Sequence, residues 1–508
     1  MLFNSFPFLG AFVIAAFVYA LLRGRTSRAV SQSFLLLISI GFYSYGASQT
    51  LPLLIGSILF NWAVARRAGN TELPEKVRHR WAFAGVAANV LFLSLFKYVN
   101  LFLGTVQPLL HTKVMLPNWR LPLGLSFFTL TQIMYLVDCY EGIVEPSTLF
   151  DHASFVAFFP YLVAGPITRA KQMVQQFQQK AHAPATAEEV AQGFALFTLG
   201  LIKKTLFADS LVRLADTAFA SPTTTSAMET WLSVLAYWMQ LYFDFSGYSD
   251  MAVGAARMLG FTIPFNFNAP YKSKSIIEFW QRWHISLSNF ITTYLYTPIL
   301  RAFKGRATLA KAAVASILAM SISGFWHGPA WTFAAWGLCH GVALTVNQYS
   351  RKKFKLKVPP ALGWLMTMAF VVFAGILFRA TDLHNAFQVF AALIPTGGFA
   401  AARKFSFVLS NPETVAYVLP ALLSFPFAWF GPTSQEMAAS LRPTVRTSVA
   451  YALLAFIALV LINSVIAKHT ICHLSTIDTG NSMPIAVWWG RLRRTEEHNL
   501  VVHLRTTL

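Results

Sequence analysis

Apolar runs recur along this chain from its N-terminus to about residue 467, and many are long enough to cross a membrane. A helix rises about 1.5 Å per residue, so roughly 20 residues span a hydrocarbon core that is about 30 Å thick. Only 12% of the residues are charged and 56% are hydrophobic, which is too few charges to cover a water-exposed surface. The sequence therefore predicts an all-α polytopic membrane protein with about 11–13 transmembrane or re-entrant helices.

One apolar segment, residues 153–168, contains Pro160, Gly165 and Pro166. It is predicted to enter the membrane and return, because broken helix at membrane depth is tolerated only inside protein or beside a wet cavity. The other segments are expected to cross as helices. They lie at about residues 6–22, 33–49, 51–65, 81–104, 121–137, 190–208, 230–246, 309–326, 330–347, 361–379, 413–430 and 448–467.

The net charge of +20 comes from Lys and Arg residues in short loops beside apolar segments. This distribution follows the positive-inside rule, so it does not indicate nucleic-acid binding. Arg23, Arg25 and Arg28 follow the first segment, whereas no Lys or Arg precedes it. We therefore expect an uncleaved first helix with its N-terminus outside, and basic loops such as residues 66–80 and 301–311 in the cytoplasm.

The cysteines predict neither a metal site nor a disulfide framework. Cys139, Cys339 and Cys472 are far apart in the chain and have no metal-ligand spacing. Cys339 precedes His340, but adjacent residues of a helix point in different directions, which disfavours a thiol nucleophile. The polar tail at residues 468–508 shows no fold signal and is predicted to have no catalytic role.

The strongest candidate for chemistry is His327, in the apolar stretch SGFWHGPAWTFAAWGLCHGV at residues 323–342. Imidazole exchanges a proton near neutral pH, and apolar surroundings favour the neutral form that a general base needs. Gly324, Gly328 and Pro329 indicate a break between two helices, where a substrate can approach. From these residues alone, a buried histidine that merely bonds a neighbouring helix explains the pattern equally well.

Two further stretches combine polar and apolar groups. Residues 279–290 (FWQRWHISLSNF) place Arg282 and His284 among aromatic rings. This pattern is typical of a re-entrant element that lines an acyl-donor cavity, with Arg282 available to phosphate, or of an interfacial aromatic belt. Residues 242–250 (YFDFSGYSD) carry Asp244 and Asp250. Carboxylates in a membrane are usually functional or paired, so they are expected to orient a histidine, bind a cation or link to Arg or Tyr.

Lys203 and Lys204 lie in the segment GLIKKTLFAD at residues 200–209. They are candidates for contact with an anionic donor on the cytoplasmic side. Long side chains that reach towards the membrane surface are the alternative explanation.

Six segments of the chain form a recognisable series: LPLGLSFFTLTQIMYLVD, FFPYLVAGPITR, GLIKKTLFAD, YFDFSGYSDMAVG, FWQRWHISLSNF and SGFWHGPAWTFAAWG. In this order they resemble motifs of the membrane-bound O-acyltransferase superfamily, and more narrowly of its bacterial alginate O-acetyltransferase branch. The resemblance is densest between residues 121 and 345 and does not reach the tail. It implies N-terminal helices at 1–120, a catalytic core at 121–347, C-terminal helices at 348–467 and the tail at 468–508.

The resemblance implies roles for individual residues. His327, in the WHG motif, occupies the position of the essential histidine. His284, in the RWH motif, is expected to support it, with His340 ranked below His284. The motif residues expected at the substrate are Arg282, Trp326, Asp244 and Asp250.

The resemblance also implies a function. Helices would surround a central tunnel, so that acetyl from a cytoplasmic donor, expected to be acetyl-CoA, reaches an acceptor outside a bacterial inner membrane. The expected acceptor is an extracytoplasmic polysaccharide, either an alginate-like exopolysaccharide or peptidoglycan, with a periplasmic acetyltransferase as partner. No bound cofactor or metal is expected. D-alanyl transfer to teichoic acids is a less favoured activity, and a transporter or flippase of lipid-linked sugars is the non-enzymatic alternative.

Overall fold

The computed structural model describes residues 2–110, 117, 119, 121–179, 184–395, 412–442 and 444–472. All regular elements in these ranges are helical, which confirms the predicted all-α class. The helices are α1 (Phe6–Leu22), α2 (Arg28–Ala47), α3 (Leu51–Ala68), α4 (Glu75–Lys97), α5 (Val99–Leu110), α6 (Leu125–Tyr140), α7 (Leu149–Ala157), α8 (Phe159–Leu162), α9 (Ala170–Gln179), α10 (Ala187–Ile202), α11 (Asp209–Ala220), α12 (Ala227–Met258), α13 (Ile276–Arg282), α14 (Ile285–Phe290), α15 (Thr297–Ala302), α16 (Leu309–His327), α17 (Trp331–Lys352), α18 (Pro360–Arg379), α19 (Leu383–Ala392), α20 (Pro412–Phe430), α21 (Ser434–Ala439) and α22 (Val445–Cys472).

The predicted membrane segments fall on helices, with some differences in length. The segment predicted at 81–104 is divided at Tyr98, between α4 and α5. The segment predicted at 230–246 is longer, because α12 extends to Met258 and buries Ser246 and Asp250 within protein. By length and composition, five stretches of the described chain can cross a membrane, which supports a multi-pass protein. They are Arg28–Ala68, Glu75–Lys97, Leu309–His327, Pro360–Arg379 and Val445–Ile462.

The segment at residues 153–168 is interrupted as predicted. α7 ends at Ala157, and the single turn α8 follows at once. A Cβ atom at Gly165 would lie 2.4 Å from the Cα atom of Tyr161, so only glycine allows the chain to turn back so closely. The Tyr161 hydroxyl donates a hydrogen bond of 2.5 Å to the carbonyl oxygen of Phe155. The path of this segment relative to a membrane stays a prediction.

The described chain forms two compact units. The first contains the residues up to Phe197 together with Ala252–Pro264, and the second contains Thr198–Met251 and the chain from Phe265 onwards. In the first unit, the rings of Phe8, Phe12 and Phe42 cluster where α1 packs on α2. The four-part division of the sequence stays a prediction.

In the second unit, α16 and α17 form an antiparallel hairpin whose backbones approach each other at glycines. A Cβ atom at Gly324 would lie 2.3 Å from the Phe333 carbonyl oxygen, and one at Gly337 would lie 2.4 Å from that of Met320. Any larger residue would overlap the facing backbone. We call this contact the glycine seam, and it sets the register between the two helices.

Two lysines of a π-helical turn at Lys203–Ala208 form ion pairs with α12. The Lys203 ammonium lies 2.7 Å from a carboxylate oxygen of Asp250, and Lys204 lies 2.7 Å from Asp244 and 2.9 Å from Asp209. The sequence left open whether these carboxylates bind substrate or link to other side chains, and it expected Arg or Tyr as the link. The structure shows that lysine is the partner.

The glycine seam predicts a stability difference between two glycine substitutions. Gly337→Ala should lower the free energy of unfolding by roughly 1–3 kcal/mol, because its methyl group must push the facing backbone away. The matched control is Gly56→Ala in α3, where a Cβ atom meets nothing within 4 Å and alanine favours the helix. Thermal unfolding of the purified protein in detergent measures both. Equal stability of the two variants would contradict the seam.

The buried ion pair predicts that one substitution harms the protein more than two. Lys203→Met leaves the Asp250 carboxylate buried without its cation and should cost about 3–5 kcal/mol, whereas Lys203→Met with Asp250→Leu removes both charges. The control pair is Arg282 with Glu278, whose side chains are 31% and 29% exposed and whose removal should cost about 1 kcal/mol or less. A double-mutant cycle of unfolding in detergent measures the coupling. A double variant no more stable than the single one would refute the prediction.

Candidate active site

His327 is the last residue of α16, at the helix break that the sequence predicts. Gly328 is extended, with φ −165° and ψ 156°, and α17 begins three residues later at Trp331. A Cβ atom at Gly328 would lie 2.1 Å from the ring of Phe333. The glycine of the WHG motif is therefore required for the chain to pass over that ring directly after the histidine.

The His327 ring is held between aromatic rings from three helices. It is perpendicular to Trp336 of α17 at a centroid distance of 5.2 Å, and it meets Phe378 of α18 at 5.1 Å. Its neighbour Trp326 is buried and lies at 5.0 Å. The histidine itself is only partly buried. Its orientation is thus fixed by packing while part of its surface remains open to a reactant, as a general base requires.

His340 lies one aromatic ring away from His327. It is fully buried, and its ring is 4.6 Å from Trp336, which contacts both histidines. The indole N–H of Trp280 donates to its Nδ1 atom over 3.2 Å. Because Nδ1 accepts this bond, the neutral ring carries its hydrogen on Nε2. The structure therefore places His340 in the His327 cluster, although the sequence ranked it below His284.

His284 belongs to another group of contacts in the second unit. It caps α14 with a left-handed backbone, at φ +42° and ψ 55°, and its ring meets Phe245 edge-on at 4.7 Å. Its Nδ1 atom lies 3.4 Å from the Asn266 side-chain oxygen, which accepts a stronger hydrogen bond of 2.6 Å from the Ser286 hydroxyl. A buried non-glycine residue in this conformation is strained and typical of functional sites.

The stretch around the RWH motif is a buried wall rather than an interfacial belt. Trp280 and Trp283 are each 7% exposed, and Phe279 is 1% exposed, whereas a belt would present its rings to lipid headgroups. Arg282 bonds Glu278 at 3.0 Å and the carbonyl oxygen of Asn268 at 3.1 Å. Its predicted contact with phosphate stays a prediction.

Asp244 and Asp250 are held by the two lysines described above. Asp250 also accepts a hydrogen bond of 2.6 Å from the Ser434 hydroxyl, and it lines a small pocket with Lys203, Tyr242 and Ser434. Their predicted role at the substrate stays a prediction. Among the described residues, no group of three or more His, Cys, Asp or Glu side chains could hold a metal ion.

Several contacts of this site were not predicted from the sequence. Trp280, Trp336 and Asn266 are all buried and contact the histidines. The spacing of four residues between Trp336 and His340 was a usable signal, because such residues share one face of a helix. The bond between Trp280 and His340 joins residues 60 positions apart, which no local pattern reveals.

Known proteins similar to this chain are acyltransferases. The chain is 37% identical to the peptidoglycan O-acetyltransferase of Helicobacter pylori over 430 residues, which cover 78% of this chain and 80% of that protein. It is also 37% identical to the probable alginate O-acetylase AlgI of Pseudomonas aeruginosa over 439 residues, which cover 85% of this chain and 81% of that protein. A teichoic acid D-alanyltransferase of Streptococcus thermophilus is 27% identical over 410 residues, which cover 73% of this chain and 94% of that protein.

A family model described as the membrane-bound O-acyltransferase family matches residues 80–387. This range includes the WHG and RWH motifs and every site residue predicted from the sequence. The match confirms the resemblance and shows that the chain is an acyltransferase. The alternative of a transporter without acyl transfer is therefore excluded. The chain belongs to the membrane-bound O-acyltransferase family.

Proposed function

We propose that this protein takes acetyl from acetyl-CoA at the cytoplasmic face of a bacterial inner membrane and passes it to an extracytoplasmic polysaccharide. The observation that carries this proposal is the setting of His327, a partly accessible imidazole at a helix break, held by Trp336 and Phe378. The names of the relatives support the chemistry, because they specify O-acetylation of peptidoglycan and of alginate. The N-terminus would lie in the periplasm, as the basic loops favour.

His327 would act as the general base. The acceptor hydroxyl oxygen attacks the thioester carbonyl carbon while its proton passes to a ring nitrogen of His327, and the carbonyl electron pair moves onto oxygen. Collapse of this tetrahedral oxyanion re-forms the C=O bond and breaks the C–S bond. The leaving thiolate then takes the proton from His327, so the enzyme returns to its starting state and the products are an acetyl ester and free CoA.

The other predicted site residues complete the proposal. His284 would support the site from its fixed position at the start of α14. Trp326 would shape the space beside His327. Arg282 would meet donor phosphate only after releasing Glu278. Asp244 and Asp250 would act on the substrate through their lysine partners.

The acceptor would be an alginate-like exopolysaccharide or peptidoglycan, the two polymers that the relatives' names give. A periplasmic acetyltransferase would receive the acetyl group and complete the transfer to the polymer. Catalysis within the membrane suits this division of labour, because only the small acyl group crosses while the charged donor stays in the cytoplasm.

The proposal predicts that His327→Ala abolishes acetylation. Loss of the general base should lower ester-linked acetate by about 10²-fold or more, measured after mild alkaline release from separated exopolysaccharide and peptidoglycan fractions. The fraction that loses acetate identifies the polymer. The matched control is His384→Ala, because His384 is an exposed histidine of α19.

Both variants must be present in the membrane at wild-type abundance for this comparison. Acetate that stays at the wild-type level in every fraction of the His327→Ala strain would contradict the proposed role of His327. A loss in the His384→Ala strain as well would show that the assay reports protein folding rather than catalysis.

A further inference from the structure

One face of α17 carries a row of three buried polar side chains, which we call the α17 row: Thr332, Trp336 and His340. They are spaced by four residues, so they follow one another along the helix, and they are 0%, 4% and 0% exposed. Thr332 Oγ1, Trp336 Nε1 and His340 Nε2 all lack a hydrogen-bond partner in the part of the chain that the structure describes.

Such a row is costly without a ligand. A buried polar group with no partner costs about 1–3 kcal/mol, and folded proteins keep few of them. The glycine seam lies on the same helix and fixes its register against α16. The seam therefore fixes the position of the row in the fold, and a ligand or water would supply the partners that the described residues do not.

Two members of the α17 row can only donate. An indole nitrogen carries a hydrogen and has no lone pair available to accept. His340 can also only donate at its second nitrogen. The Trp280 indole N–H bonds its Nδ1 atom over 3.2 Å, which leaves the hydrogen on Nε2. The two rings that carry these N–H donors lie 4.6 Å apart between their centroids, and a pair of neighbouring donors suits an oxygen atom that carries negative charge.

This donor pair lies beside the candidate base. The Trp336 ring contacts His327 at 5.2 Å and His340 at 4.6 Å, and both His327 and Trp336 pack against Phe378. If the acceptor hydroxyl that His327 activates attacks the thioester carbonyl carbon, the carbonyl oxygen would lie near Trp336 and His340 of α17. This juxtaposition is the reason to connect the α17 row with the reaction.

We propose that the Trp336 and His340 side-chain N–H groups bind the carbonyl oxygen of the acetyl thioester and stabilise the oxyanion that forms when the acceptor attacks. This inference rests on the proposed function and deepens it. When the hydroxyl adds to the carbonyl carbon, negative charge develops on the oxygen. Donors already oriented in a water-poor site stabilise that charge without reorganisation, and they release the oxygen when the C=O bond re-forms.

Trp280 is then a positioning residue. Its indole N–H keeps the hydrogen of His340 on Nε2, where it faces the proposed oxyanion, by occupying Nδ1. Without this bond, His340 is free to carry its hydrogen on Nδ1 and to present a lone pair from Nε2, which would repel the oxyanion. A substitution at Trp280 would therefore lower acetyl transfer through its effect on the hydrogen position of His340.

The first test removes one donor while keeping the ring. Trp336→Phe should lower kcat for acetyl transfer from acetyl-CoA by about 10²-fold and leave the KM for acetyl-CoA within about threefold, because the donor acts mainly on the transition state. The assay uses the full-length protein in opened cell envelopes, which retain the proposed periplasmic partner, with the acceptor fraction identified by acetate release. The control is Trp331→Phe, an indole of the same helix that is 41% exposed and outside the α17 row.

The second test separates donation from packing at His340. His340→Leu should lower kcat by a similar factor, whereas His340→Gln should retain more activity, because its amide can accept from Trp280 and still donate. Trp280→Phe should lower kcat while retaining the histidine. These variants also test the inference if Trp336→Phe fails to fold, and monodisperse elution in detergent identifies which variants are folded.

The outcomes distinguish the inference from the function on which it rests. If the wild type and Trp331→Phe transfer acetyl and folded Trp336→Phe or His340→Leu does so with unchanged kcat, the oxyanion role is wrong and the proposed function stands. A rise in KM alone likewise overturns the role, because it shows ground-state binding only. If the wild type itself transfers no acetyl from acetyl-CoA, both proposals fail.

Discussion

The close approach of α16 and α17 at their glycines is the constraint on which the candidate site depends. With no side chain at Gly324 or Gly337, the two backbones are in contact, and this contact leaves one register for the hairpin. His327 at the end of the first helix is then fixed relative to Trp336 and His340 on the second. In a membrane, where lipid tails are as apolar as the helices, such packing replaces the hydrophobic driving force between helices.

In the second compact unit, which also contains α16 and α17, charged side chains form ion pairs with each other. Lys203 and Lys204 are consecutive, yet each meets a carboxylate of α12, at Asp250 and Asp244. Pairing lets ionised groups stay inside an otherwise apolar protein, although desolvation consumes much of the electrostatic gain. The resulting cluster is charged, whereas the His327 cluster is mostly aromatic and contains the proposed base.

The fold class and most helix positions could be predicted, because a bilayer demands long apolar runs and these leave a strong signal. α1 and α18 begin within one residue of their predicted starts, whereas α12 was placed too short because its buried polar residues resemble a loop. His327 could be proposed from its motif. Its partners could not, because Trp336 and Phe378 come from other helices. In the same way, nothing in a single sequence shows that Lys203 faces Asp250 across 47 residues.

The π-helical turn at Lys203–Ala208 has a consequence for how the length of this region can vary. Such a turn holds one residue more than an α-helical turn, because its hydrogen bonds close over five residues instead of four. Deleting one residue after Lys204 would restore regular α-helical geometry there and leave the face of α11 in place. Asp209, which pairs with Lys204, and Asp216, which pairs with Arg379 at 2.6 Å, would then keep their partners. A deletion within α11 itself would instead rotate the rest of that helix by about 100°, so the irregular turn is where descendants of this chain should lose a residue first.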